Sequence, residues 1–378
     1  MIALNLIGTN KNSGTKTFNL NFFKQIDLSS IDDDIIIYIP KSYINDTQIE
    51  FPKNIKFKIK SNLFENFFIR FMWMQLILPI DLKVNKVKVL FSSSNYSPFL
   101  LKFLNIKSVL FVHTVMPWEF LSLLPGNIIK KFFIKKMMEV SIYNSNLIIV
   151  PSIFAKKIIL EKLNIYPEKI RVINLGADHI SNTSQRDNFL ENFDYKDKYI
   201  LSVLSCVKYH NVINLLKAYK LFLESVKKNV KFVIVLTILD KKYFNEINSY
   251  IKDNFKHNQI ILFPNLKIKY LHSLYKNSLL YLYSSYSETF GLTTLEAMHY
   301  NLPLIVSKTS ALEEINGTIP NYFDPDNIHE IKSKLVKIFQ EIDSKKIIKK
   351  DNEIKNQLKK YLWKNTFTKT FSLLKSIS

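Results

Sequence analysis

Two glutamates and the loop between them carry the most specific chemistry in this chain. They stand in "SETFGLTTLEAMHYNLPLIVS", residues 287–307, with Glu288 and Glu296 eight positions apart. The apolar run "SLLYLYSS" comes before them and "LPLIVS" after, so the unit reads strand, loop, helix, strand. The glutamates straddle the loop-to-helix junction. Two readings fit. In the first, Thr293-Thr294-Leu295-Glu296 has the spacing of a capping box, whose glutamate reaches back to the N-cap amide, and Glu288 is a solvated loop acid. In the second, the free N–H groups and positive dipole end of the helix suit a phosphate. Gly291 then lets backbone approach a ligand closely, and the carboxylates accept hydrogen bonds from sugar hydroxyls. A phosphate site beside two such acids describes a pocket for a nucleotide sugar.

Such a site needs a frame. Short β-rich runs alternate with helical stretches, first as "IALNLI", "DIIIYI", "KVKVLFS", "SVLFVH" and "LIIVPS". After about residue 180 the alternation restarts as "YILSVLS", "KFVIVLT", "QIILFP", "LLYLYSS" and "PLIVS". Continuous apolar strands with helices between them imply parallel sheets covered on both faces. Two series imply two doubly wound α/β domains, with "HISNTSQRDNFLENFDYKDK", residues 179–198, as linker. Ligands bind at the carboxyl ends of such strands, and two facing sheets set the site in a cleft. The final "LKKYLWKNTFTKTFSLLKSI" predicts a helix with an apolar stripe. It either returns to the first domain or lies on the surface.

Composition narrows the class. A chain of 378 residues, 47% hydrophobic, supports two full cores. A single cysteine, Cys206, excludes a disulfide framework and fits a reducing cytoplasm. The opening "MIALNLIGTN" lacks a basic n-region and reads as a first strand. The most apolar tract, "NLFENFFIRFMWMQLILPI", residues 62–80, is broken by Glu65, Arg70 and Gln75 and is short for a membrane span. The net charge of +21 points to anionic partners. It reflects either a face for an anionic membrane or an AT-rich coding bias toward Lys, Asn and Ile. No zinc-finger spacing, Arg-rich arm or aromatic RNA-binding signature is present, so no nucleic-acid partner is expected.

Further segments give these features a family. "YILSVLSCVKYHNVINLLKAY", "NQIILFPNLKIKYLHSLYKNSLLYLYSSYSETFGLTTLEAM" and "FDPDNIHEI" resemble, in order, segments of the family 4 retaining glycosyltransferases. Glu288 and Glu296 occupy the two positions of that family's E-x7-E motif. "LFSSSNYSPF", "FVHTVMPWEF" and "VPSIFAKKIILEKLNIYPEKIRVINLGAD" are similar to its first-domain segments. The resemblance implies the GT-B fold, two Rossmann-like domains with parallel sheets facing a central cleft. Residues 1–180 would bind the acceptor, with a helix at 359–378 packing back on them, and 181–358 the nucleotide sugar.

Site roles follow by the same resemblance. Glu296 would accept hydrogen bonds from the donor ribose and Glu288 would sit at the donor sugar. The amides of Phe290, Gly291, Leu292 and Thr293 would line the sugar and diphosphate. Gly14 would mark a loop closing over the donor, or serve as a turn glycine. His113 would stand near the reacting carbon or be structural; Thr114 follows it where the family has Asp. Before Asn211 the family has lysine, whereas here His210 stands there and Lys208 two residues earlier. Lys208 or a protonated His210 would supply the cation, since Ser205 occupies the region of an expected arginine. Asp32-Asp33-Asp34 reads as a solvated turn, and no metal or other cofactor is implied. The implied activity is sugar transfer from a nucleotide sugar to a glycan or lipid-linked acceptor, in cell-surface polysaccharide synthesis at the cytoplasmic side. The alternatives are a non-catalytic GT-B subunit, or another GT-B activity such as a sugar-phosphate synthase or phosphorylase.

Overall fold

The computed structural model describes residues 1–8, 14–26, 34–44, 55–180, 199–228, 230–346 and 350–378. They form two compact units. The first comprises Met1–Glu119, Ile128–Gly176 and Leu362–Ser378; the second comprises Phe120–Asn127 and Ala177–Tyr361. The divisions expected after residues 180 and 358 thus fall at Gly176 and Tyr361, and Phe120–Asn127 groups with the second unit. Most of the expected linker, residues 181–198, lies outside the described residues, as do Asp32 and Asp33.

The first unit holds a seven-stranded sheet in the order β3-β2-β1-β4-β5-β6-β7. Its strands are β1 (Ile2–Asn5), β2 (Ile35–Pro40), β3 (Ile55–Lys60), β4 (Val89–Ser92), β5 (Lys107–Phe111), β6 (Leu147–Val150) and β7 (Ile170–Val172). All these pairings are parallel. The interior strands β1, β2 and β4 are buried along their whole length, as both-face cover requires. The edge strands β3 and β7 did not stand out as apolar runs. Edge strand β3 alternates Ile and Phe with Lys, and β7 is three residues long.

Helices α1 (Gly14–Lys24), α2 (Phe67–Leu76), α3 (Leu78–Val84) and α4 (Ile128–Asn144) belong to this unit. The apolar tract 62–80 contributes α2 and the start of α3. Asn66 caps α2 by accepting from the Phe68 and Ile69 amides at 2.9 and 3.3 Å. Pro79 in the first turn of α3 suits a fresh helix start. Among the described residues no helix is long and apolar enough to cross a membrane.

The last helix, Trp363–Ser376, packs inside the first unit. Its stripe of Trp363, Phe367, Phe371 and Leu374 is buried. Trp363 meets Phe18 of α1 edge-on at 6.0 Å, and Phe367 lies 5.1 Å from Phe22. A Cβ on Gly176 would fall 2.2 Å from the Trp363 amide nitrogen, so this approach requires glycine.

The second unit holds a six-stranded sheet in the order β10-β9-β8-β11-β12-β13. Its strands are β8 (Tyr199–Cys206), β9 (Lys231–Ile238), β10 (Ile260–Pro264), β11 (Ser278–Tyr283), β12 (Leu304–Ser307) and β13 (Asn321–Phe323). These pairings are parallel too. The edge strand β13 is the one the sequence did not announce. Helices α5 (Val212–Val226), α6 (Leu292–His299) and α7 (Ile328–Asp343) matter for the site. The strand order reverses between β8 and β11, which makes their carboxyl ends the switch point where α/β sheets bind ligands. Turns across the chain place Asn95, Asn105, Asn211, Asn258, Asn265 and Asn301 at positive φ.

Candidate functional site

Two loops leave the switch point of the second unit. The loop after β8 makes a turn at Lys208–His210 and enters α5 through Asn211. Asn211 has φ 52° and donates through Nδ2 to Pro325 O at 2.7 Å, which anchors the turn. The loop after β11 runs from Ser284 to Gly291. The Tyr286 amide donates to Tyr209 O at 2.8 Å and ties the two loops together.

The second loop is also fastened to the chain after β12. The Ser285 amide donates to Ser307 Oγ at 3.0 Å, and Thr309 Oγ1 donates to Ser285 O at 2.7 Å. The Glu288 amide donates to Ser310 Oγ at 2.7 Å. Gly291 ends the loop at φ 80°, and a Cβ there would come within 2.4 Å of Leu312 Cδ2. The backbone conformation favours glycine, and a Cβ would also have to displace the tip of the Leu312 side chain. Gly291 is the N-cap of α6, and no side chain caps that helix.

This overturns the capping box. Thr293 lies inside the helix rather than at its cap, and Glu296 turns away from the N-terminus. Glu296 is 6% exposed; its Oε2 accepts from Tyr275 Oη at 2.9 Å, and its Oε1 lies 3.2 Å from His179 Nε2. Tyr300 stacks on Tyr275 with ring centres 5.4 Å apart. Desolvation by burial raises the Tyr275 hydroxyl well above the usual phenol range, and the neighbouring Glu296 adds to the rise.

Nor is Glu288 a solvated acid. Its side chain is 19% exposed, and Oε1 accepts from Tyr283 Oη at 2.7 Å. Burial raises its pKa to about 7, with the Tyr283 and Ser285 hydroxyls offsetting part of the rise. His210 Nε2 lies 3.7 Å from the same oxygen. His210 is 6% exposed, and burial lowers its pKa to about 3. The ring sits against Tyr209, centres 4.8 Å apart, and edge-on to Tyr283 at 5.9 Å. Among the described residues its Nδ1 has no hydrogen-bond partner. Desolvation by burial thus disfavours the imidazolium, one of the two cations expected here; Lys208 is the other. Lys208 lies outside this nest, its Nζ 3.7 Å from Glu246 and its side chain about half exposed.

Phe290, Gly291, Leu292 and Thr293 line the start of α6, with the Phe290 ring packed edge-on to Tyr361 at 5.4 Å. The structure thus gathers Glu288, His210, Asn211 and the 290–293 backbone about two joined loops, with Glu296 one turn along α6. It does not add Lys208 to the buried group. His179, Tyr275 and Tyr283 escaped the sequence reading. Tyr281 and Tyr283 did carry a signal, since alternation in β11 sets both on one face.

The remaining sequence candidates belong to the first unit. His113 follows β5, and its Nε2 lies 2.7 Å from Ser93 O. A carbonyl can only accept, so Nε2 carries the proton. The His113 amide donates to Asn95 Oδ1 at 2.6 Å, and the ring stacks on Phe111 at 4.4 Å. Burial lowers the ring's pKa to about 4, so it is neutral near pH 7. Gly14 opens α1, and a Cβ there would meet nothing within 4 Å; residues 9–13 before it lie outside the described residues. Among the described residues no three of His, Cys, Asp and Glu come together as a metal site.

Comparison with known proteins agrees with this architecture. Residues 34–180 match the family model described as Glycosyltransferase Family 4, and residues 184–359 match the model described as Glycosyl transferases group 1. The chain is 24% identical over 231 residues to the O-antigen chain mannosyltransferase RfbU of Salmonella typhimurium. That alignment covers 61% of this chain and 60% of the relative, so the chain spans less than two thirds of that protein's length. The crystal structure of Anabaena Alr3699/HepE in complex with UDP and glucose is similar at TM-score 0.75 and 13% identity, covering 100% of both chains. A glycosyltransferase from Rickettsia africae is similar at TM-score 0.72 and 16% identity, covering 100% of this chain and 98% of that one. Two family models in the expected order, over two sheets of parallel strands, make this chain a member of the family 4 glycosyltransferases with the GT-B fold.

Proposed function

We propose that the chain transfers a sugar from a nucleotide-diphosphate sugar to a glycan or lipid-linked glycan, with retention of anomeric configuration and without a metal. The observation that carries the reading is a pair of glutamates, Glu296 buried and Glu288 largely so, each given a tyrosine hydroxyl, around an uncapped helix N-terminus at the switch point. In this reading Glu296 accepts from the ribose hydroxyls and Glu288 faces the donor sugar. The first amides of α6 stabilise the charge that develops on the leaving diphosphate. The acceptor hydroxyl attacks from the leaving group's own face. His113, with its proton fixed on Nε2, presents a neutral ring to the acceptor side. The likeness to an O-antigen mannosyltransferase makes mannose the first sugar to test and a surface polysaccharide the first acceptor. The reaction is assigned to the cytoplasm, in keeping with one buried, unpaired cysteine.

A second reading has one observation in its favour. His210, where the family has a cation, is buried and neutral, and this suits a GT-B subunit that does not turn over. The test is a thermal-shift screen against GDP-mannose and UDP-, ADP- and CMP-sugars, followed by nucleotide release on adding acceptor. Ligand at about a hundred times its dissociation constant adds roughly 2.7 kcal/mol of stability. One nucleotide should shift the unfolding temperature, and release should persist in EDTA. Absence of any shift would overturn donor binding. A shift without release would favour the subunit.

A further inference from the structure

His179 belongs to none of the motifs that mark the site, yet it reaches Glu296 across 117 residues of chain. It stands in the turn Asp178–Ile180, where the chain enters the second unit. The Ala177 amide before it donates to Tyr361 O at 2.9 Å, which ties the turn down. The ring's Nε2 lies 3.2 Å from Glu296 Oε1, within hydrogen-bond reach, whereas His210 Nε2 stands 3.7 Å from Glu288 and outside it. The second glutamate is thus gripped by an imidazole, and the first is not.

The other oxygen of Glu296 is held separately. Tyr275, on the helix Leu271–Asn277, donates its hydroxyl to Oε2 at 2.9 Å. Tyr275 is fully buried and stacks on Tyr300 with the rings 7° from parallel. Tyr300 Oη lies in turn 2.6 Å from His272 Nδ1. Each carboxylate oxygen thus has one donor, and the two donors come from separate elements. A carboxylate oxygen accepts about two hydrogen bonds, so among the described residues one position stays open on each. Two neighbouring hydroxyls fit such a pair of positions, and a ribose carries them on its 2′ and 3′ carbons. Neither the Glu296 nor the His179 side chain is wholly sealed from solvent. Glutamate loses much side-chain freedom when it is ordered, and here that loss falls on folding rather than on binding. We propose that His179 is a positioning residue for the donor. It fixes the Glu296 carboxylate to meet the 2′,3′-diol of a ribonucleoside diphosphate, and so makes the site select ribonucleotide over deoxyribonucleotide donors. In this role Nε2 carries the proton, since Glu296 accepts. The inference rests on the reading that gives the donor ribose to Glu296. A histidine that only satisfied a buried acid would matter to stability and not to the sugar of the nucleotide.

Calorimetry on the full chain compares GDP with 2′,3′-dideoxy-GDP, and UDP with its dideoxy counterpart. Two variants separate positioning from packing. His179→Gln places an amide about where Nε2 lies, and His179→Asn carries the same amide one bond short of Glu296. The wild type should favour the ribonucleotide by roughly tenfold or more. His179→Asn should bind the ribonucleotide about tenfold more weakly and the dideoxy form equally well, which erases the preference. His179→Gln should keep most of it. Tyr275→Phe removes the donor on the other oxygen, should narrow the preference in the same sense, and is the independent check. A full preference for ribose in His179→Asn, or equal losses for ribonucleotide and dideoxynucleotide, would overturn the positioning role and leave the donor reading standing. A wild type that binds both forms equally, or neither, would instead break the donor reading, and the inference with it.

Discussion

Glu288 and Glu296 look alike in sequence and are held in matching ways, yet their surroundings differ. Each accepts a hydrogen bond from a tyrosine and has an imidazole nearby. Beside Glu288 the imidazole is His210, 3.7 Å away, its far nitrogen without a partner among the described residues. Beside Glu296 it is His179, 3.2 Å away, with 13% of its side chain exposed. Burial opposes charge on Glu288 and on His210 together, so two groups of opposite type are both driven toward neutrality. The lesson is that a carboxylate's role depends on what lies behind it. Glu296 is held by a tyrosine hydroxyl and an imidazole, whereas burial raises the pKa of Glu288 to about 7.

The largest expected effect breaks this contrast through pH. The Glu288 carboxyl holds its proton up to about 7 in the folded chain, against an ordinary value of 4.5. Its contribution to stability is fully present below 4.5 and is lost as pH rises through about 7. Glu288→Gln should therefore match the wild type in acid and exceed it above neutrality, by up to about 3 kcal/mol. Denaturant unfolding across that range checks it, and identical pH dependence in both proteins would refute it. His210 carries the opposite sign. Its pKa is depressed from 6.5 to about 3, so its contribution is present above 6.5 and lost as pH falls. His210→Gln should remove that acid-side loss.

The next effect sharpens the contrast through ligand. Glu296→Ala should weaken binding of the nucleotide diphosphate whatever sugar it carries, by about 1.5–3 kcal/mol, roughly tenfold to a hundredfold. Glu288→Ala should leave nucleotide affinity nearly intact and lower turnover. Calorimetry beside a transfer assay separates them, and equal loss of affinity in both would erase the distinction. The smallest effect comes from the hydroxyls. Tyr283→Phe and Tyr275→Phe should each cost about 1 kcal/mol. Of the two, only Tyr283→Phe should raise the pKa of Glu288, which titration of its carboxyl carbon by NMR would read.

Much of this was legible in the sequence, for identifiable reasons. Interior strands such as "DIIIYI" and "KFVIVLT" announce themselves because cover on both faces leaves them continuously apolar. Strands β3, β7 and β13 do not, because an edge needs neither length nor an unbroken apolar run. Glu288, Gly291 and Glu296 were readable from spacing. Their partners were not. His179 stands 117 residues from Glu296 in sequence, and its contact exists only through the fold. The capping-box spacing misled because a local pattern competed with Gly291, whose positive φ claims the cap. The burial that disfavours charge on His210, beside the rings of Tyr209 and Tyr283, is likewise something spacing does not reveal.

The asparagines at positive φ carry a consequence for the unfolded chain. With six glycines in 378 residues, the protein has few of the usual residues for left-handed turns. Among the described residues asparagine fills six such positions, Asn211 at the site being one of them. Asparagine tolerates this conformation less readily than glycine does. It also denies the unfolded chain the freedom that glycine would allow, and the two effects offset one another. An asparagine turn is therefore less a compromise in the native state than a restriction on the denatured one. At Asn211 the side chain adds a bond to Pro325 that no glycine could make. The same substitution that keeps the unfolded chain stiff thus also fixes one wall of the site.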